Sequence, residues 1–218
     1  MIDNLRICIE RGKVDRNVPY PPDMKGEAGA SEITAELLGA GIAADVILNR
    51  ALVVAMNNLG ERFSQGKAFI PDLLIAAKAM KAAMAQLKPY FNTGAVTHRG
   101  TAIMGTAQGD LHDIGKNIVC MMLEGAGWEV IDLGTNVPTE KYISAISDHP
   151  GCILGMSALL TTTLTNMQET VAEIKKSSPE TRVFIGGAPI TSEFSRKIHA
   201  DGYFPEPQSF IKRLNEIS

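Results

Sequence analysis

Cysteine is scarce in this chain of 218 residues, and its three copies, Cys8, Cys120 and Cys152, stand far apart. That spacing excludes a disulfide framework and points to a reducing cytoplasm. Strong net charge is missing as well: 21 basic against 24 acidic residues leave a formal charge of -3, which gives no reason to expect a nucleic acid partner. Near the start, Leu5-Arg6-Ile7-Cys8-Ile9-Glu10-Arg11 carries charges inside its apolar run, so neither a signal peptide nor a membrane span is expected. The scattered cysteines and His98, His149 and His199 show none of the short spacings of a protein-only metal cage.

What is present is a hydrophobic content of 45% with 21% charged residues, the balance of a soluble globular chain that can bury a real core. The length suits one domain of ordinary size plus a smaller one. Chemistry concentrates in the stretch from Gly105 to Gly115. It follows the apolar run Thr101-Ala102-Ile103-Met104, short enough to be a buried strand, and leads into an amphipathic helical pattern, Lys116 to Leu123. A polar, glycine-bearing loop between a strand and a helix lies, in an open parallel sheet, at the carboxyl end of the strand where such folds bind ligands.

That loop holds one imidazole, His112, with carboxylates at Asp110 and Asp113. A metal-binding His commonly donates its other ring N–H to a carboxylate, which fixes the tautomer and makes the metal-facing nitrogen more basic, and Asp110 is placed for that role. The plain alternative is a surface loop whose Asp caps the next helix. If His112 binds a metal, it is the lone protein ligand, and the other positions belong to something brought with the metal, as a macrocycle would do.

Asp110-x-His112-x-x-Gly115, then Ser157-x-Leu159 after a later strand and Gly186-Gly187 after the next, resembles the three-part signature of cobalamin-binding domains. Asp110 to Val119 and Asp132-Leu133-Gly134 are similar to methionine synthase and to the small corrinoid proteins of methyltransferase systems, and the resemblance covers about residues 33 to 205. It implies that His112 replaces the cofactor's own benzimidazole as lower cobalt ligand, with the displaced nucleotide tail threading into the fold. By the same resemblance, the residues meeting cobalamin are Gly109, Asp110, Leu111, His112, Asp113, Ile114, Gly115, Ser157, Leu159, Thr161, Thr163, Gly186 and Gly187. His112, Asp110 and Ser157 would tune the cobalt, Ser157 having the nucleotide tail as a second possible partner. The bland readings stand beside these: Ser157 and the threonines cap a loop or helix, and Gly186-Gly187 serves an ordinary turn.

Residues 2 to 12 read as a short helix, and 18 to 30, rich in Pro and Gly, as an irregular surface segment. From Ser31 the period turns helical. Ile33, Leu37 and Leu38 form one stripe and Val46 to Leu59 a second. Pro71 opens a third helix, lined by Leu73, Leu74, Ala77, Met80, Met84 and Leu87 and ending near Pro89. These make a four-helix-type bundle over 1–91, followed by a linker over 92–99 in which His98 is read as solvated. The run Gly60-Glu61-Arg62-Phe63 to Ile70-Pro71 resembles the cap of methionine synthase, which implies that Phe63, Ile70 and Leu73 lie over the upper face of the corrin.

Beyond Gly100, strands and helices alternate, which predicts an α/β domain over 100–218 with a parallel sheet. Strands are expected at 101–104, 128–133, 152–157, 182–185 and 202–204. Helices are expected at 116–123, 138–147, 164–176 and 210–217. The spacing suggests the flavodoxin-like, Rossmann-like order 2-1-3-4-5, whose crevice between the first and third strands brings His112, Ser157 and Gly186-Gly187 to one groove. Phe204-Pro205-Glu206-Pro207 departs from relatives, many of which carry smaller residues near the nucleotide.

The resemblance implies a corrinoid methyl carrier. A substrate-specific methyltransferase places a methyl group on Co(I), and a second methyltransferase removes it to tetrahydrofolate or a thiol. A reductive activating protein returns Co(II) to Co(I). Methanol, methylamines and aryl methyl ethers are all compatible donors. The alternatives are a mutase subunit or a B12-dependent light sensor. A phosphoryl-receiver domain fails because Ser157 stands where an acceptor Asp is needed.

Overall fold

The computed structural model describes residues 1–217. The chain divides into two compact units, one of Met1–His98 with Gly125–Gly127, the other of Arg99–Glu124 and the residues from Trp128 onward. Among the described residues no helix is long and apolar enough to cross a membrane.

The first unit is helical. α1 (Ile2–Arg11) ends at Gly12, whose left-handed φ of 73° suits a residue without a side chain, and Gly12 also abuts Ile75. The Pro/Gly-rich segment holds one 3-10 turn, Pro22–Met24. Its two ends are tied together, since Lys13 O accepts from Ala30 N and Val14 O from Ser31 N. Lys13 is fully buried, its ammonium donating to Val18 O at 2.8 Å.

Next come α2 (Ala30–Gly39), α3 (Ala44–Ile47), a π-helical turn (Leu48–Leu52) and α4 (Val53–Ser64), so the second apolar stripe is one helical run with a widened turn inside it. α5 (Ile70–Asn92) starts with Pro71 in its first turn, where a missing N–H costs nothing, and with the Asp72 carboxylate accepting from Phe69 N. It runs past Pro89, where a stop was expected. The proline sits on the exposed side within the last turn, and what it forgoes is the single bond its N–H would have made to the carbonyl four residues earlier. α2 packs on α5, and α1 on α4 and α5, around Leu5, Ile9, Ile47, Leu52, Leu59, Leu73 and Leu87. His98, expected in solvent, instead stacks on Phe91 with ring centroids 4.3 Å apart.

The second unit is a five-stranded, all-parallel sheet in the order β2-β1-β3-β4-β5, as the alternation of strands and helices predicted. Its elements are β1 (Thr101–Thr106), α6 (Ile114–Gly125), β2 (Glu129–Asp132), α7 (Thr139–Asp148), β3 (Ile153–Ser157), α8 (Leu164–Ser177), β4 (Arg182–Gly186), α9 (Ser192–Lys197), β5 (Gly202–Tyr203) and α10 (Pro207–Ile217). A 3-10 turn, Thr161–Thr163, precedes α8. The six-residue α9 is too short for the periodicity to reveal; Thr191 caps it by accepting from Phe194 N.

Side chains alternate between the two sheet faces with a period of two, and this decides where the sheet is hollow. Ile103, Leu154 and Val183 sit in register on one face, and with Met156 and Ile185 they join Tyr142, Ile146, Met167, Val171 and Ile174 in a fully packed core. On the other face the register runs Met104, Gly155, Phe184 and then Thr106, Ser157, Gly186. The small residues of β3 and β4 on that face leave a trough. Met104 fills part of it, because a Cβ on Gly155 would collide with the Met104 sulfur.

Candidate cofactor-binding site

At the carboxyl ends of the strands, the loop after β1 is fixed from three sides. Thr106 donates its hydroxyl to Asp110 O at 2.6 Å, and Asn136, from the loop after β2, sends its N–H to Asp110 O at 2.9 Å and to Thr106 Oγ1 at 2.8 Å. Asn136 Oδ1 also accepts from Gly109 N at 2.7 Å, while Asn166 of α8 donates to Gln108 O at 2.8 Å. Asn136 holds a positive φ of 51°, a conformation asparagine tolerates better than most residues.

Asp110 is the centre of this arrangement. Its side chain is fully buried, and its two oxygens accept five hydrogen bonds. Oδ1 takes the His112 backbone N–H and ring Nδ1, both at 2.9 Å. Oδ2 takes Leu159 N at 2.7 Å, Leu160 N at 3.1 Å and Thr163 Oγ1 at 3.1 Å. Burial alone would raise the Asp110 carboxyl, but the N–H groups of His112, Leu159 and Leu160 and the His112 ring outweigh it and hold it well below the usual carboxylate range. Asp110 is therefore a fixed anion, and a fixed anion on Nδ1 sets the tautomer that leaves Nε2 as the basic nitrogen. The His112 side chain is half exposed.

The expected network partner of Asp110, Ser157, does not reach it. Ser157 Oγ is buried without a hydrogen-bond partner, whereas Thr163, brought round by the 3-10 turn, occupies the remaining position on Oδ2. The reason is the register: Ser157 still belongs to β3 and follows its pleat onto the trough face, while the chain turns over Asp110 only from Leu159 on. Thr161 is exposed.

Around the imidazole, Leu111, Ile114, Leu159 and Leu160 stand exposed, an apolar rim that a flat, mostly apolar ligand would cover. Leu111, His112, Asp113, Ile114, Gly115, Ser157, Leu159 and Gly187 line one depression there. Gly115 lies in the first turn of α6, where a Cβ would meet nothing, so its bare backbone is unexplained by packing and leaves room beside His112. Gly187 has a protein reason for being glycine: its φ is 127°, and a Cβ would run into the Ala158 carbonyl. Asp113 accepts from Asn117 Nδ2 at 3.0 Å. Asn117 Oδ1 in turn accepts from Lys116, whose buried ammonium is ion-paired to Asp132 at 2.5 Å.

A second cavity of about 160 Å³ adjoins the first on the trough face, lined by Met104, Gly115, Lys116, Val119, Gly155, Met156, Ser157, Phe184, Ile185, Gly186, Gly187, Phe204, Pro205, Glu206, Pro207 and Phe210. The residues therefore fit a tailed macrocycle: an apolar platform with one oriented imidazole, and a narrow cleft beside it holding one buried, unpaired hydroxyl. Burial pushes the Cys120 thiol up to about 12, so it offers no thiolate at neutral pH.

In the helical unit, Leu73 is in the core at 1% exposure and cannot belong to the exposed surface expected of it. The apolar surface at the α4–α5 junction comes instead from Phe69, Ile70 and Leu74, with Phe63 half-buried.

An open parallel sheet with a carboxylate-held imidazole at its switch point and a cleft under the neighbouring loop defines a cobalamin-binding α/β protein. The B12 binding domain family matches residues 100–210, and a second B12 binding domain family matches residues 26–88. The chain is 33% identical over 192 residues to trimethylamine corrinoid protein 1 of Methanosarcina acetivorans, covering 86% of this chain and 89% of that protein. It is 37% identical over 174 residues to a dimethylamine corrinoid protein of Methanosarcina barkeri, covering 78% of this chain and 82% of that one. A chain of the methanol:cobalamin methyltransferase complex of Methanosarcina barkeri superposes with a TM-score of 0.82 at 27% identity, over 99% of this chain and 78% of that one. The chain belongs to the B12-binding corrinoid protein family, and its cofactor is a corrinoid of the cobalamin type.

Proposed function

We propose that this chain is the methyl-carrying corrinoid subunit of a methyltransferase system whose donor is a methylated amine. The observation that carries the reading is the bond from His112 Nδ1 to the buried Asp110 carboxylate, which leaves Nε2 for cobalt. The amine is favoured because the similar curated proteins are trimethylamine and dimethylamine corrinoid proteins. A bound corrinoid supplies a cobalt that takes up a methyl group and gives it away. The protein's part is to present Nε2, hold the imidazole orientation through Asp110, and take the nucleotide tail into the cleft beside Ser157. Five donors hold Asp110 as an anion, so the carboxylate stays an acceptor for His112 Nδ1 and would keep the imidazole turned with Nε2 towards a bound corrinoid. Gly109, Leu111, Asp113, Ile114, Gly115, Leu159, Thr161 and Gly187 complete the cofactor surface in this reading, and Phe63 and Ile70 shield the methyl group.

Three partners follow: a methylamine methyltransferase, an acceptor methyltransferase acting on tetrahydrofolate or a thiol, and a reductive activating protein. The test is to reconstitute the protein with hydroxocobalamin, reduce it, and follow its absorption on mixing with a tri- or dimethylamine methyltransferase and the amine. Methylation in the presence of enzyme and amine is expected. If only a methanol-specific enzyme methylates the cobalt, the donor assignment is wrong.

A further inference from the structure

The cleft on the trough face differs at its two ends. Near His112 it is bounded by Gly115 and Ser157, and at the other end by Phe184, Phe204 and Phe210. These three rings are tilted against one another with centroids 5.1 to 5.9 Å apart, and Phe184 and Phe210 are each 5% exposed. Their interplanar angles of 52°, 56° and 36° make a tilted aromatic cluster that closes this end of the cleft. The volume of about 160 Å³ is close to the ~150 Å³ of an apolar cavity that accepts one aromatic ring.

Polar groups are nearly missing from this end. Pro205 and Pro207 remove two backbone N–H donors from the wall. Lys116 is committed to Asp132 and Asn117, and Glu206 is exposed. Of the side chains lining the cleft, Ser157 alone offers a buried polar atom without a partner. A flat base with one in-plane nitrogen acceptor satisfies that hydroxyl. A purine brings further ring nitrogens and an exocyclic group, which would be buried unpaired.

We propose that the aromatic end of the cleft makes this protein selective for corrinoids whose nucleotide base is a benzimidazole over those carrying a purine. Ser157 is the single hydrogen-bond partner of the base, and Phe204 is the residue that rejects the purine. The inference rests on the reading that the nucleotide tail enters this cleft. Each polar atom buried without a partner weakens binding by about 5- to 150-fold. Adenine, the less basic donor, leaves cobalt more readily than a benzimidazole, so that step by itself favours the purine corrinoid and the expected order runs against it.

The experiment titrates the full chain, prepared free of corrinoid, with cobalamin, with its adenine-based analogue and with cobinamide, which lacks the nucleotide. The readout is the dissociation constant from the corrin absorption change. Cobalamin is expected to bind at least fivefold tighter than the adenine analogue. Phe204→Asn should narrow that ratio, and Ser157→Ala should weaken cobalamin while leaving cobinamide unchanged. If the two nucleotide corrinoids bind equally and cobinamide more weakly, the cleft takes the tail without reading the base, and the inference fails while the proposed function stands. Equal binding of all three also overturns it, since the tail is then outside the cleft. If none binds, the corrinoid reading fails with it. Should Phe204→Asn not fold, the wild-type ratio alone decides.

Discussion

Thr163 shares its single hydroxyl proton between Asp110 Oδ2 at 3.1 Å, across 53 residues of sequence, and Leu160 O at 2.8 Å. The hydroxyl thus ties the turn after β3 to the carboxylate that holds His112. It makes Thr163 a positioning residue for the imidazole.

Thr163→Val is expected to weaken cobalamin retention, because a hydrogen bond to a charged acceptor contributes ~1.5–3 kcal/mol. Thr163→Ser keeps the hydroxyl and should restore it. A purely steric role for the threonine predicts the reverse ranking, with Val the milder change. Dissociation constants of the three proteins separate the two.

His112→Ala removes the ring's hydrogen bond to the buried Asp110 carboxylate and is expected to cost ~1.5–3 kcal/mol, with the chain still folding because the imidazole is half exposed and fills no core space. The cobalt, however, loses its protein nitrogen. Electron paramagnetic resonance of the Co(II) form is expected to show nitrogen hyperfine splitting in the wild type that is absent from the variant. Identical spectra would remove His112 from the cobalt.

Asp110→Asn should reduce cofactor affinity ~10- to 100-fold, the usual effect of losing an outer partner of a metal-binding His. The same substitution should change the acid stability of the cofactor-free chain. The folded carboxyl lies below its ordinary value, so the native state binds the proton more weakly than the unfolded chain does. Its contribution to stability is complete above about pH 5 and is lost as pH falls through ~3.9 towards the folded value. Urea midpoints measured from pH 6 down to pH 3 should fall less steeply in Asp110→Asn. Parallel curves would show that Asp110 does not govern this range.

Neighbouring leucines of α5 should behave oppositely. Leu73→Ala opens the bundle core and is expected to cost ~2–5 kcal/mol, whereas Leu74→Ala removes a side chain that is 45% exposed and should cost little. Thermal or urea unfolding of the two variants checks the assignment of Leu73 to the core.

Gly187→Ala is expected to destabilise the α/β unit even without cofactor. The added methyl meets the Ala158 carbonyl, and a φ of 127° is one that alanine rarely adopts. Loss of cofactor binding with unchanged stability would instead mean that a ligand, not the Ala158 backbone, requires the glycine.

The sequence by itself determined the parallel sheet and its order, because alternating strand and helix patterns admit few connections and the crossovers in such sheets share one hand. It also determined the Asp110–His112 pair, since two residues of separation within one loop place both groups together whatever the rest of the fold does. Local signals sufficed for Gly12 at a helix end and Pro71 at a helix start. Other features depended on groups far apart in the chain. That Thr163 and not Ser157 reaches Asp110 follows from where the β3 pleat ends, one residue at a time. That Asn136 secures the loop depends on β2 lying beside β1, and that Leu73 is buried while Leu74 is exposed depends on which face of α5 the neighbouring helices cover. The aromatic end of the cleft joins Phe184 to Phe204 and Phe210 only because β4 and β5 pair, and burial of a hydroxyl such as Ser157 Oγ is a property of all the atoms packed around it, which tertiary structure alone decides.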